Sequence, residues 1–215
     1  MYKAYNLTLF DGQLKDFVGD KSAYNLEKEK AGVQLKQLIN SNYEIAAEDI
    51  KSMFFPQKTY DVFISHSHND LVLALSLSRY LKDNFKLSAF VDSICWGNID
   101  KIQKDLDKRN RTEDNYEYEA VKKVAQHANL ILASALTEAI DKSECVFFLN
   151  TKNSVVRGDQ VKEAKTYSPW IYHEVYTASI IRRIKPTRKS AYESRDNALN
   201  EAANQVFLLF HMDWI

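Results

Sequence analysis

From residue 59 onward, short apolar runs alternate along the chain with longer stretches in which apolar residues recur every three or four positions. The run Val62 to Ile64 in TYDVFISHSHND, the segment LSAFVD ending at Asp92, and the run in ECVFFLN lack polar alternation, so each predicts a strand buried on both faces. Leu73, Leu77, Tyr80 and Leu81 predict a helix that Asn69 can cap. Ile99, Ile102 and Leu106 mark a short helix. After the charged stretch RNRTEDN, Val121, Val124, Ala128, Leu132, Ala135 and Ala139 predict a long amphipathic one. Beyond the polar loop TKNSVVRGDQVKEAKT, Ser168 is a favoured N-cap and Pro169 suits the first helical position, so a further helix begins there. A helix near Ala198 and a final strand in QVFLLFHMD close the pattern.

Ahead of this alternation, Tyr24, Ala31, Leu35 and Leu38 recur at helical spacing, and residues 44–55 predict a second short helix before Pro56. The order predicts an α/β fold: a mainly parallel sheet with helices on both faces. Residues 1–56 read as an N-terminal helical extension, and residues 57–215 as the main domain with a helical insertion around 100–140.

Composition narrows the partners. The 215 residues are 45% hydrophobic and 12% aromatic, enough for a sizeable core. Lysine plus arginine equals aspartate plus glutamate, which removes any global attraction to nucleic acid. The basic run Arg182, Arg183, Lys185, Arg188, Lys189 reads as a solvated helix end rather than a nucleic-acid patch. No apolar run approaches the roughly 18 residues of a membrane span, and MYKAYNLTLFDG lacks the layout of a signal peptide, so a cytoplasmic protein is expected. Cys95 and Cys145 form no C-x-x-C pair, which suits a reducing compartment and two small core residues.

The phosphate cradles of common nucleotide enzymes are missing. Neither G-x-G-x-x-G nor G-x-x-x-x-G-K-[ST] occurs among only five glycines, and G-x-S-x-G is absent too. His66 and His68 form an H-x-H, but His127, His173 and His211 add no recognisable ligand cluster, so no metal is expected. In a parallel sheet, ligands bind beyond the carboxyl ends of the strands, where the loops SHSHND, DSICWGN and TYSPW should meet. His66 and Ser67 there either face a phosphate, with backbone amides, or form a helix-capping turn. Glu174 follows Trp170 by one helical turn, and its neighbours at three and four residues are Trp170, Ile171, Thr177 and Ala178. No helical ion pair accounts for this acid. It is either favoured by the helix dipole or placed for chemistry.

In order, YDVFISHSHND, AFVDSICWGNI, ECVFFLNT and SPWIYHEV resemble the first strand, the loop after the second strand, the third strand and the following helix of a Toll/interleukin-1 receptor (TIR) domain, over about residues 59–184. The resemblance implies a flavodoxin-like TIR fold. Its W-x-x-x-E, Trp170 and Glu174, is similar to the pair in TIR domains that cleave NAD, which implies Glu174 as the catalytic residue and NAD as substrate, with no further cofactor. Trp170 would stack on nicotinamide, and Ser65, His66, Ser67 and Asp92 would contact the substrate. Trp96 lies with Asp92 in the loop that in the family often meets a neighbouring subunit and helps complete the active site; the resemblance implies Trp96 as a further substrate-binding residue and a homo-oligomer through this loop, or, read blandly, a loop anchor.

The expectation is therefore a stand-alone NAD glycohydrolase or ADP-ribosyl cyclase, similar to bacterial enzymes of Thoeris-type antiphage defence, whose product acts on a separate effector protein. Two alternatives stay open. One is a TIR adaptor that self-associates without catalysis, and the other is an enzyme similar to a nucleoside deoxyribosyltransferase.

Overall fold

The structure, a computed structural model, describes residues 3–9, 12–22, 24–26, 29–30, 33, 48, 51, 59–91, 111–112, 115–116, 118–155, 166, 168–184 and 211–214. Along the chain these form β1 (Lys3–Thr8), β2 (Val62–Ser65), α1 (Leu71–Phe85), β3 (Ala89–Val91), β4 (Arg111–Thr112), β5 (Asn115–Tyr116), α2 (Tyr118–Lys142), β6 (Cys145–Leu149), α3 (Pro169–Ile180) and β7 (His211–Trp214). One sheet runs in the order β3-β2-β6-β1-β7, and β4 pairs with β5 in a separate hairpin. The strands β3, β2, β6 and β1 are parallel, and β7 runs antiparallel along β1. The α/β class read from the sequence is thus the observed one, in a flavodoxin-like arrangement.

Register sorts the side chains onto two faces. Val62 and Ile64 of β2, Cys145, Phe147 and Leu149 of β6, and Tyr5 and Leu7 of β1 share one cluster with Ala74, Leu77, Tyr80 and Leu81 of α1. The intervening residues must face the other way, because side chains alternate along a strand. On that second face Phe148 clusters with Val155 and with Ile171 of α3, while Val175 packs against them. Each strand is therefore covered above and below, which is why VFIS and CVFFL are buried at every position.

The N-terminal residues differ from the helical extension expected of them. Residues Lys3 to Thr8 form a strand between β6 and β7, with Ala4, Tyr5 and Leu7 buried. The physical reason is tertiary: KAYNLT has no helical period, and its apolar residues serve both faces of a central strand. The chain divides into two units, and residues Met1–Lys21 belong with the sheet, together with Thr59–Asp92 and Thr137–Ile215. Gly19 holds this segment close to α1; a Cβ there would come within 2.9 Å of the Leu75 carbonyl carbon, so only glycine fits. The second unit comprises Ser22–Lys58 and Ser93–Leu136 and contains the β4-β5 hairpin and most of α2.

Other boundaries shift by small steps. A 3-10 turn, His68–Asp70, precedes α1, and the N-cap position falls on Asp70 rather than Asn69. The last strand is His211–Trp214; the earlier part of the expected strand, residues 205–210, the expected helices at 44–55 and around Ile99 and Ala198 lie outside the described residues, apart from isolated helical positions at 48 and 51. Among the described residues no helix is long and apolar enough to cross a membrane.

Candidate functional site

The chain leaves β2 toward β3 on one side and later returns to β6 on the other. Strand order therefore reverses between β2 and β6. Such a switch point leaves a crevice beyond the carboxyl ends of the two strands, where the two connections diverge. Ser65 and the loop after Leu149 bound it.

Three hydrogen-bonding networks shape this end of the sheet. The Asp70 carboxylate, only 8% exposed, accepts from Thr151 Oγ1 at 2.5 Å through one oxygen and from Asn153 Nδ2 at 2.6 Å through the other. These bonds draw the carboxylate away from the helix amides, which explains why Asp70 occupies the N-cap position of α1 without a side-chain cap bond. The loop after β6 is itself closed by Ser154, whose Oγ donates to the Leu149 carbonyl at 2.7 Å and accepts from the Thr151 amide at 2.8 Å. His66 is 5% exposed, with Nδ1 3.1 Å from the Ile64 carbonyl. Because a carbonyl only accepts, Nδ1 carries the hydrogen in that bond.

Glu174 enters from α3. Ser168 caps this helix, accepting from the Ile171 amide at 3.3 Å, and Pro169 takes the first turn, as the sequence predicts. The buried positions Ile171, Glu174, Thr177 and Ala178 are spaced by three, three and one, so they form one face. Ile171 fixes that face against Phe148 of the sheet. Glu174 is 1% exposed. On the adjoining face, His173 Nε2 lies 3.1 Å from Thr137 Oγ1 in the last turns of α2, which ties the two helices together.

Ser65 belongs to the same layer as Glu174. Its register partner is Phe148, and paired residues of neighbouring strands project to the same face, so the Ser65 hydroxyl points to the α3 side. The side chain is fully buried. Trp170 is half-buried, one turn before Glu174. Ser67 is half-buried at the start of the 3-10 turn and makes no side-chain cap bond there, while its carbonyl accepts from the Asp70 amide. The structure thus places Ser65, His66 and Ser67 at the carboxyl end of β2 and buries Glu174 on the same face of α3 as Ile171. Asp92 and Trp96 lie outside the described residues.

Sequence reasoning missed Asp70, Thr151 and Asn153, whose partnership joins two loops far apart in the chain. It also missed Asn6. That residue pairs with Phe148 from the side opposite Ser65, so it faces α3 as well. Its only sequence signal is a polar residue between the apolar Tyr5 and Leu7. Among the described residues no group of three or more His, Cys, Asp or Glu side chains could hold a metal ion. Comparison with known proteins gives no match among family models, curated proteins or solved structures.

Proposed function

We propose that this chain cleaves the bond between nicotinamide and ribose in NAD, with Glu174 as the catalytic carboxylate. The observation that carries the reading is the burial of Glu174 on the sheet-facing side of α3, in the layer to which Ser65 belongs at the switch-point end of β2. The TIR-like order of the four motifs supports it. In NAD the leaving group is cationic, so departure needs little acid catalysis. As the C1′–N bond breaks, its electron pair goes to nicotinamide and positive charge grows on the ribose.

A fixed carboxylate in a site with little water stabilises that charge, an effect whose removal costs on the order of a hundredfold or more in rate. Water then bonds to C1′ and loses a proton, giving ADP-ribose; a nucleophile within the substrate gives a cyclic product instead. Trp170 is placed to stack on the nicotinamide ring. The protein would act in the cytoplasm, its product read by a separate effector. Burial pushes the Cys145 thiol far above its ordinary pKa, in keeping with a core residue rather than a reactive one.

The test is turnover. NAD incubated with concentrated protein should yield nicotinamide and an ADP-ribose product separable by mass, and Glu174→Gln should lower the rate at least about a hundredfold while leaving the fold intact. Unchanged turnover in Glu174→Gln refutes the assigned role.

A second reading, a self-associating adaptor, draws on a different observation. Tyr172, Tyr176 and Ile180 are exposed at four-residue intervals along α3, and the two tyrosine rings stack in parallel with centroids 6.0 Å apart. Such an apolar stripe suits a protein contact. Absence of NAD turnover under all conditions, with concentration-dependent assembly, selects this reading.

A further inference from the structure

On α3, Val175 and His173 lie about 100° to either side of Glu174, because each residue advances an α-helix by that angle. Contacts on both sides flank the carboxylate. On one side Val175 packs, with Ile171, against Phe148 and Val155. On the other, His173 Nε2 stands 3.1 Å from Thr137 Oγ1 of α2, both side chains being half-buried. The apolar contact tolerates sliding, since the hydrophobic effect has no direction. The hydrogen bond does not, because it weakens steeply as its angle opens.

We infer that His173, through its bond to Thr137, is a positioning residue that sets the rotation of α3 and with it the direction of the Glu174 carboxylate. This goes beyond the reaction proposed above and rests on it only for what that direction does to the rate. The ring of His173 is turned to α2, so it acts through Glu174 rather than on the substrate. A histidine that adds nothing to a metal site thereby acquires a role.

Leverage sets the size of the effect. A long side chain ends about 6 Å from the helix axis, so a rotation of about 10° carries its tip about 1 Å. Misplacement on that scale lowers a rate by up to about a hundredfold. For folding the same pair counts for little, because water can take the place of either partner at a half-buried position. Direction, more than stability, depends on this bond.

The experiment removes the bond with little change of shape. Thr137→Val replaces the hydroxyl by a methyl group, Thr137→Ser keeps it, and His173→Leu takes away the ring nitrogen. Each is measured for melting temperature, for kcat and KM on NAD, and for the NMR resonance of the Glu174 carboxyl carbon, assigned by its disappearance in Glu174→Gln. In Thr137→Val and His173→Leu, kcat is expected to fall on the order of tenfold at unchanged KM, the resonance to shift, and the melting temperature to stay within a few degrees. Thr137→Ser should restore both rate and resonance. The double variant Thr137→Val/His173→Leu should be no slower than either single one, since all three lack the same bond. A resonance that keeps its wild-type position in Thr137→Val overturns the inference, as do losses that Thr137→Ser fails to restore or that add in the double variant. The resonance reads positioning without turnover. If wild type cleaves no NAD while the resonance still answers to Thr137 and His173, the proposed reaction fails and the positioning role stands; if wild type cleaves NAD and neither substitution alters kcat, the positioning role fails alone.

Discussion

The two ends of the sheet treat buried polar groups differently. At the amino end, Asp61 is 4% exposed, and one of its oxygens accepts from both the amide and the hydroxyl of Ser88 at 2.7 Å. The Asp61 amide in turn donates to the Ser88 carbonyl, and the Asp61 carbonyl accepts from the Cys145 amide, so this residue joins the starts of β2, β3 and β6. Ser143 beside it donates to the Ala139 carbonyl at 2.8 Å. At the carboxyl end, Ser65 and Asn6 keep buried oxygens that no described residue satisfies. A buried polar side chain whose bonds close within the protein serves stability. One left open forms no stabilising bond in the free protein.

The largest effect should come from the closed end. Asp61→Ala leaves the half-buried Ser88 amide and hydroxyl without their acceptor and a gap where Asp61 was 4% exposed, which should cost about 3 kcal/mol, read as a lower urea midpoint with an unchanged slope. Ligand affinity of the folded variant should not change. A loss below about 1 kcal/mol removes the contrast between the ends, because Asp61 would then be no more structural than Ser65.

Asp70 sharpens the comparison, since it is as fully bonded as Asp61 yet stands at the open end. Asp70→Ala should cost about 2 kcal/mol, less than Asp61→Ala, because Asn153 is exposed whereas Ser88 is half-buried, so water more readily replaces the lost acceptor. Hydrogen exchange should quicken in the loop after β6, while the Ser154 bond to Leu149 keeps the turn in place. NAD turnover should fall as well, because the clamp holds the loop that borders the crevice. Lost stability with unaltered turnover would mark Asp70 as another Asp61.

What the sequence revealed follows the same division between local and distant causes. The start of α3 was legible because a capping serine, a first-turn proline and the spacing of Trp170 and Glu174 all lie within one turn or two. The strands β2, β3 and β6 were legible as continuous apolar runs. β1 was not, since it is a strand only by virtue of pairing with β6 and β7, both far along the chain. Nothing inside KAYNLT encodes that partnership. The same holds for the site: Glu174 announces itself by spacing, whereas Asn6 gains meaning only from its register with Phe148, and Asp70 only from the loop it holds.

The smallest expected effect lies back at the amino end, where α1 turns toward β3. Lys86 closes the helix in the left-handed region with φ 59°, and its amide bonds to the Leu81 and Lys82 carbonyls. A side chain with a Cβ is strained there, and glycine is the usual occupant of such a position. Lys86→Gly relieves the strain but loosens the unfolded chain and loses the bond from Lys86 Nζ to the Asp83 carbonyl, so the net gain should be only about 0.5 kcal/mol. For a chain of this size that is a rise of about 1–2 °C in melting temperature. Turnover and ADP-ribose affinity should stay at wild-type values, because Lys86 sits at the end of the sheet where every described change is one of stability. A shift in ligand affinity from so remote a substitution would mean that the two ends are coupled through α1, and the division of labour between them would fail.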